Sequence, residues 1–354
     1  MESAAIKDPS PVRIQWPEIS RTVRAVEWWE FKFSPIFATA YATAFLLKIS
    51  IISLWPMLLL LLVALTACAA YVSVINDLTD FKDDQASGKA NRLVGKSRAF
   101  IITLLACCIL SGSAVAIDWR SEPLLLFLYL ASWIVFTLYS LPPVRLKKRG
   151  VFGLLADASG AHLFPTLLAV ALVYTWHVGP VDKLWFASVA IWSLSFGLRG
   201  ILWHQLSDLH NDEKIGLATF ARKHKIELLR GLGNFIIFPV EVGAFCFMLW
   251  HTGSRLAILL LGYYALFTFL RKRLWGVNLV VVVPEARFHI TMQEYYEVFF
   301  PLAFLLSSSG RYPFDALIIV PHLLLFPRRA LQSVKDIKIF RAAFKTIIMR
   351  VRGR

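Results

Sequence analysis

Two acidic clusters follow long apolar runs in the sequence. The first, from Asn76 to Asp84, reads NDLTDFKDD, and the second, from Asp208 to Asp212, reads DLHND. On a helix, Asp80 shares a face with Asn76 and Asp84, and Asp208 with Asp212, because residues four apart stack. Stacked carboxylates repel one another unless a cation lies between them. The pattern is typical of a Mg²⁺ site, which commonly combines one or two carboxylates with substrate phosphate oxygens.

Basic residues accompany both clusters. Lys89 and Arg92 follow the first, Lys214 follows the second, and Arg145 and Lys147 lie in a basic stretch between them. Guanidinium and ammonium groups beside a bound metal can neutralise a diphosphate, so a diphosphate site is predicted. One acidic cluster alone could be a solvated helix end. Two such clusters, each at the end of a long apolar run, favour a shared site.

The elements that must position these residues are membrane helices. Apolar residues make up 57% of the 354-residue chain and charged residues 17%, and the mean hydropathy is +0.61. This composition excludes a cytosolic enzyme, a disordered scaffold and a disulfide-stapled secreted domain. It predicts an all-α membrane protein with about nine, or ten, transmembrane helices. The predicted spans are 33–52, 55–76, 99–118, 123–142, 156–177, 184–206, 232–250, 254–270 and 291–308, with a short tenth candidate at 313–327.

The charge distribution predicts the orientation of these helices. The formal net charge is +15, and Lys and Arg concentrate in the loops of cytoplasmic membrane faces. If the N-terminus is cytoplasmic, the loops on its side hold 18 Lys and Arg and the opposite loops 4. We therefore expect the N-terminus and both aspartate clusters to be cytoplasmic, on the plasma or inner membrane in a bacterium. Nucleic acid is not an expected partner, because no nucleic-acid module accompanies the charge.

The two ends of the chain differ from its centre. Residues 1–30 are predicted to form a cytoplasmic amphipathic segment at the membrane surface, and 31–327 the transmembrane domain. Residues 328–354 are predicted to be a basic, amphipathic cytoplasmic tail that lies on anionic lipid headgroups. The apolar residues of this tail form one stripe, which consists of Leu331, Val334, Ile337, Phe340, Phe344, Ile347 and Val351. The alternative is that this stripe contacts another copy of the chain in a homo-oligomer.

Three motifs together resemble the UbiA superfamily of intramembrane prenyltransferases. They are N-D-x-x-D-x-x-x-D from Asn76, D-x-x-x-D-x-x-x-G from Asp208, and Y-S-x-P-P-x-R-x-K from Tyr139. The resemblance covers about residues 30–310. It implies a helical bundle around a central cavity open to lipid, two Mg²⁺ ions, and an isoprenoid (polyprenyl) diphosphate donor.

The resemblance also implies roles for individual residues. Two departures from the family pattern are Gly88-Lys89-Ala90-Asn91-Arg92, where many members have Lys-Arg-Pro, and His204-Gln205 before the second motif. The implied metal ligands are Asn76, Asp80, Asp84, Asp208 and Asp212, with Asp77 secondary. The resemblance implies that Arg145 and Lys147 belong to the diphosphate-binding loop. The other candidate diphosphate-binding residues are Lys89, Arg92, Tyr139 and Lys214.

Ionisable residues inside the predicted spans are candidates for handling the acceptor. Asp157, His162 and His204 are the catalytic candidates besides the aspartate motifs. A neutral histidine could take a proton from an acceptor hydroxyl or orient it, and a hydrogen bond to a neighbouring helix is the alternative for each. The acceptor itself is open and is either aromatic or polar.

Other reactions use the same motifs. A membrane terpene cyclase would ionise the same donor and quench the cation internally. A phosphoribosyl transferase would use the metals on a sugar diphosphate and modify a polyprenyl phosphate. A transporter or lipid-binding protein is disfavoured because both aspartate motifs are intact.

Overall fold

The computed structural model describes residues 16–209, 213, 219–285 and 288–338. The described residues are mostly helical and include two three-residue strands. The α-helices are α1 (Trp16–Thr22), α2 (Ala25–Trp28), α3 (Ser34–Leu46), α4 (Trp55–Ser87), α5 (Arg98–Asp118), α6 (Pro123–Ser140), α7 (Val151–Ala158), α8 (Phe164–His177), α9 (Lys183–Ser207), α10 (Phe220–Lys223), α11 (Ile226–Leu232), α12 (Phe238–Thr252), α13 (Arg255–Trp275), α14 (Phe300–Ser309) and α15 (Ile319–Leu325); the strands are β1 (Asn278–Val280) and β2 (Phe288–Ile290).

Within the described residues, six helical segments are long and apolar enough to cross a membrane. They correspond to six of the nine predicted spans, and they are Ile51–Ser87, Arg98–Ser121, Pro123–Ser140, Val151–His177, Lys183–Ser207 and Ile226–Thr252. The other three predicted spans overlap α3, α13 and α14. The protein is an integral membrane protein, and nine or ten spans stay a prediction.

Four helices contain a π-helical turn, and each turn ends two residues before a proline. The turns are Trp29–Phe33, Ser159–Leu163, Gly233–Ile237 and Tyr295–Phe299. Proline lacks a backbone N–H and its ring collides with the preceding turn, so the helix widens locally instead of continuing regularly. The first two turns carry residues that line the cavity described in the next subsection, so these prolines help to shape that cavity.

The predicted tenth span runs beside α3. It consists of a six-residue 3₁₀ segment, Pro313–Ile318, and the seven-residue α15. At one end, Asp315 binds residues that follow α3. At the other, Trp29 donates to the carbonyl of Leu325 at 2.6 Å and Glu30 accepts from the backbone N–H of Arg328 at 3.0 Å. The tail therefore begins at the same end of the bundle at which the chain enters α3.

Two packing features bring α9 close to its neighbours. A Cβ on Gly197 would lie 2.9 Å from the Cα and carbonyl oxygen of Ala158, so only glycine allows α7 to approach α9 this closely. On another side of α9, Arg199 forms a buried bidentate ion pair with Glu241 of α12, at 2.6 and 2.8 Å. These contacts fix α9, whose end carries the second aspartate motif.

Asp315 is expected to be a major source of stability. Its fully buried carboxylate accepts from the N–H groups of Ile51 and Ile52, both at 2.9 Å, and from Ser50 Oγ at 2.6 Å. Asp315→Ala would leave buried donors unpaired, at a cost of about 3 kcal/mol. The apparent Tm in detergent, followed by tryptophan fluorescence, should fall by at least about 5 °C. The exposed Asp118→Ala should change it little, and an unchanged Tm for Asp315→Ala would contradict this role.

Candidate active site

A cavity of about 280 Å³ lies where the ends of α4, α6 and α9 meet α2 and α7. We call it the acidic cavity, because both aspartate motifs reach it through Asp80 and Asp208. Its deeper wall is apolar and aromatic and includes Phe33, Leu65 and Phe136. The cavity therefore combines a charged end with an apolar interior, as an amphipathic substrate requires. Of the predicted residues, those that line it are Asn76, Asp80, Lys89, Tyr139, Lys147, Asp157, His204 and Asp208.

The first aspartate motif is neutralised by the loop that follows α6. Lys147 Nζ lies 3.1 Å from Asn76 Oδ1 and also contacts Asp80 Oδ1. Arg145 donates to Asp80 at 2.8 Å and to Asp83 at 2.9 Å. Burial lowers the pKa of the Lys147 ammonium, and the charge of Asp80 acts in the opposite direction. The predicted basic loop is thus folded directly onto the first motif.

The chain segment that follows the first aspartate motif contacts the second motif. Gly88 ends α4 with a left-handed φ of 73°, a conformation that favours glycine at a helix C-terminus. The chain then turns back, and Lys89 Nζ reaches Asp208 Oδ2 at 2.8 Å. Asp208 follows α9 directly, and its N–H bonds to the carbonyl of His204 at 2.9 Å. Asp212 and Lys214 lie outside the described residues.

The N-terminal segment contributes residues that the sequence reasoning missed. Arg24 and Glu27 line the acidic cavity, as does Lys32. Arg24 lies 3.4 Å from Asp77, and Glu27 pairs with Arg92 at 2.7 Å. The i, i+3 pair of Arg24 and Glu27 was visible in the sequence. No local sequence pattern indicated that these two residues also pair with Asp77 and Arg92, which are more than fifty positions away.

Several predicted site residues form a layer behind the cavity wall. Asp84 accepts from Asn91 Nδ2 at 2.8 Å, and Asp77 is buried against Arg24. His162 is buried between Phe31 and Phe196, with ring centroids at 6.0 and 4.8 Å. Five predicted site residues adjoin the cavity lining without belonging to it, and they are Asp77, Asp84, Arg92, Arg145 and His162.

The residues at the charged end suit a hard divalent cation. Oxygen atoms of Asn76 and Asp80 converge on one point, which the Lys147 ammonium occupies. Carboxylate and amide oxygens are the ligands that Mg²⁺ accepts. Among the described residues, no group of three His, Cys, Asp or Glu is close enough to hold a metal by itself. A cation here would therefore need further oxygens, as a bound phosphate group provides.

Comparison with known proteins identifies the class. The profile of the UbiA prenyltransferase family matches residues 36–293. The chain belongs to this family.

Two individual relatives share about a quarter of their aligned residues with this chain. Two forms of 2-acylphloroglucinol 4-prenyltransferase from Humulus lupulus, one of them chloroplastic, are each 26% identical, over 59% and 58% of this chain. The alignments cover 52% and 51% of those proteins, so the chain spans about half the length of the curated relatives it matches.

Solved structures share the fold. A UbiA homolog from Archaeoglobus fulgidus bound to GPP and Mg²⁺ superimposes with a TM-score of 0.53, at 14% identity, covering 88% of this chain and all of that one. The same homolog bound to DMAPP and Mg²⁺ gives 0.51, at 16% identity, covering 82% and 99%. These similarities establish the helical fold of the bundle.

The position of Lys147 generates a test with metal alone. If its ammonium competes with a divalent cation for the oxygens of Asn76 and Asp80, then removing it should strengthen metal binding. In Lys147→Met the apparent Tm without metal should fall, because Asp80 loses a buried partner. Saturating Mg²⁺ should then raise the Tm by at least about twice the wild-type shift.

Lys148→Met is the matched control, because Lys148 is more exposed and pairs with Asp83 at 3.3 Å. It should show the wild-type shift. A Mg²⁺ shift in Lys147→Met no larger than in wild type would show that the Lys147 ammonium does not compete with the cation.

Proposed function

We propose that the protein is a Mg²⁺-dependent intramembrane prenyltransferase. It ionises an isoprenoid diphosphate and transfers the isoprenyl group to an acceptor. The observation that supports this most directly is the acidic cavity, which has carboxylates and ammonium groups at one end and an apolar interior at the other. Family membership and the names of the Humulus relatives favour transfer over the cyclase and phosphoribosyl alternatives.

We propose that Mg²⁺ is held by three residues of the cavity lining, Asn76, Asp80 and Asp208. The rest of the proposed ligand set is Asp84, Asp212 and, in a secondary role, Asp77. Two ions are proposed on the strength of the two motifs. The Mg²⁺ in the titles of the A. fulgidus structures supports this cofactor for the fold. Bound Mg²⁺ supplies positive charge to the diphosphate oxygens.

The chain's own residues perform the remaining work. Lys89 and Lys147 would bind the diphosphate and stabilise its added charge as the allylic C–O bond breaks and the electron pair leaves with the diphosphate. Arg92, Tyr139, Arg145 and Lys214 complete the proposed diphosphate-binding set. The apolar walls of the cavity hold the isoprenyl chain and exclude water, which would otherwise capture the cation.

Transfer ends when the acceptor forms a bond to the allylic carbon and releases a proton. Asp157 and His204 line the cavity and are the residues within it that we propose to receive that proton or to orient the acceptor. His162 lies behind this wall, among Phe31 and Phe196, and its proposed role is to position the neighbouring helix.

The proposed orientation places the site at the cytoplasmic face, with the N-terminus and the tail. Residues 327–338 are helical and begin beside Glu30, and Leu331, Val334 and Ile337 are exposed on one side of this segment. This stripe is proposed to rest on anionic lipid, and a homo-oligomer contact is the alternative.

The reaction is tested by substituting one carboxylate from each motif. Asp80→Asn and Asp208→Asn should each reduce Mg²⁺-dependent diphosphate release and product formation at least 100-fold with geranyl, farnesyl or geranylgeranyl diphosphate. Asp118→Asn, at an exposed carboxylate outside the cavity lining, should keep wild-type activity. The measurement is mass-spectrometric product analysis with and without a phenolic or metabolite-extract acceptor, in Mg²⁺ or EDTA.

Three outcomes would count against Mg²⁺-dependent prenyl transfer. A cyclised hydrocarbon formed without acceptor would identify a terpene cyclase. No diphosphate release under any condition would exclude an allylic diphosphate donor and direct attention to phosphoribosyl transfer. Activity in EDTA equal to that in Mg²⁺ would exclude the metal.

A further inference from the structure

A cavity of about 600 Å³ lies between the end of α13, strand β2 and the helical segment 327–338. We call it the tail cavity, because Arg329, Gln332 and Asp336 of that segment line it. Among the described residues, none lines both the tail cavity and the acidic cavity. The tail cavity is therefore separate from the site of the proposed reaction.

The tail cavity lies near the level at which a predicted membrane span meets water. The predicted span 254–270 falls within α13, and Trp275, at the end of this helix, lines the cavity. Tryptophan is enriched at the boundary between hydrocarbon and headgroups. Two turns earlier on α13, Leu266 and Phe269 are 56% and 60% exposed. A lipid with its acyl chains along this part of α13 would therefore have its headgroup at the cavity.

The charged groups at the tail cavity have a negative sum. Among the described residues that line it, the charged ones are Arg271, Arg329 and Asp336. Arg271 is paired with Asp336, at 2.6 Å, and with Glu294. Arg329 lies 3.0 Å from Glu297. Two cations thus face three carboxylates, and a negative wall attracts a ligand that carries a cationic group.

Two aromatic rings and one carboxylate can hold that cationic group. Trp275 and Phe288 both line the cavity, and an aromatic face attracts an ammonium group that lies within about 6 Å of the ring centroid. Asp336 Oδ1 accepts from Gln332 at 2.8 Å, and a carboxylate oxygen can accept a second hydrogen bond. His289 does not oppose a cation, because burial lowers the pKa of its imidazole to about 4 and leaves it uncharged at neutral pH.

Arg329 offers donors to an anionic group in the same cavity. Its side chain is 46% exposed, and Glu297 contacts it at Nε. Among the described residues, no acceptor bonds to its two terminal nitrogens, Nη1 and Nη2. A guanidinium that presents free N–H groups to solvent is well suited to phosphate oxygens. The cavity therefore combines a place for a cation with a place for a phosphate.

We infer that the tail cavity binds the headgroup of a zwitterionic phospholipid. The ammonium group lies against Trp275, Phe288 and Asp336, and the phosphate against Arg329. Phosphatidylethanolamine and phosphatidylcholine share this chemistry, whereas phosphatidylglycerol offers the phosphate without the ammonium. The inference does not depend on the proposed reaction, because the residues that carry it lie outside the acidic cavity.

The test is native mass spectrometry of the full-length protein in detergent, titrated with one lipid at a time. The probes are the palmitoyl-oleoyl forms of phosphatidylethanolamine, phosphatidylcholine and phosphatidylglycerol. We expect at least one of the two zwitterionic lipids to bind wild type at a saturable site. Trp275→Leu and Asp336→Asn should each weaken that binding at least fivefold, because each removes a partner of the ammonium group. Neither substitution should weaken the binding of phosphatidylglycerol.

Trp55→Leu is the matched control, because Trp55 is a 56% exposed tryptophan at the start of α4, outside the lining of the tail cavity. It should leave every lipid affinity within twofold of wild type. The inference is overturned if neither zwitterionic lipid binds wild type saturably, if either cavity variant keeps wild-type affinity, or if phosphatidylglycerol weakens in parallel. If Asp336→Asn does not accumulate, because Arg271 loses a carboxylate partner, Trp275→Leu decides by the same criteria.

Discussion

Carboxylates at the end of an apolar helix bundle must be neutralised, and the contacts around α4 and α9 satisfy this requirement. Lys147 and Arg145 compensate Asp80, and Lys89 compensates Asp208. These cations come from the loops after α6 and α4, so neutralising the motifs also joins three helix ends around one cavity. Because the same oxygens suit a divalent cation, a substrate that brings metal and phosphate can replace some of these ion pairs. The resting charge balance and the proposed chemistry thus depend on the same atoms.

The helices that carry these groups are shaped by packing requirements. Gly197 allows α7 to approach α9, which brings Asp157 and His204 to one cavity. Pro35 and Pro165 each follow a π-helical turn, and both turns supply wall residues of the acidic cavity. The Arg199–Glu241 pair holds α12 against α9 without contributing free charge. The aspartate motif on α9 therefore sits on a firmly held helix, which suits a site where small displacements weaken catalysis.

Local patterns in the sequence predicted much of this arrangement. Hydropathy identified the six helical segments that are long and apolar enough to cross a membrane, because a 30 Å hydrocarbon core demands long apolar runs. Helical spacing placed Asn76 and Asp80 on one face, and the structure brings them to the same lysine. The ends of the chain were harder. Arg24 contacts Asp77, and the Pro313–Leu325 segment runs beside α3. Both arrangements depend on contacts between residues far apart in sequence. Neither pairing leaves a periodic signal.

The central claim is that both aspartate motifs hold a metal against the diphosphate of the donor. Electron paramagnetic resonance with Mn²⁺ in place of Mg²⁺ tests it most directly, using geranyl S-thiolodiphosphate as an unreactive donor. We expect resolved ³¹P hyperfine coupling to protein-bound Mn²⁺ in wild type, and its loss in Asp80→Asn and Asp208→Asn. Protein-bound Mn²⁺ without phosphorus coupling in wild type, or coupling that survives both substitutions, would show that the two motifs do not hold a metal against the diphosphate.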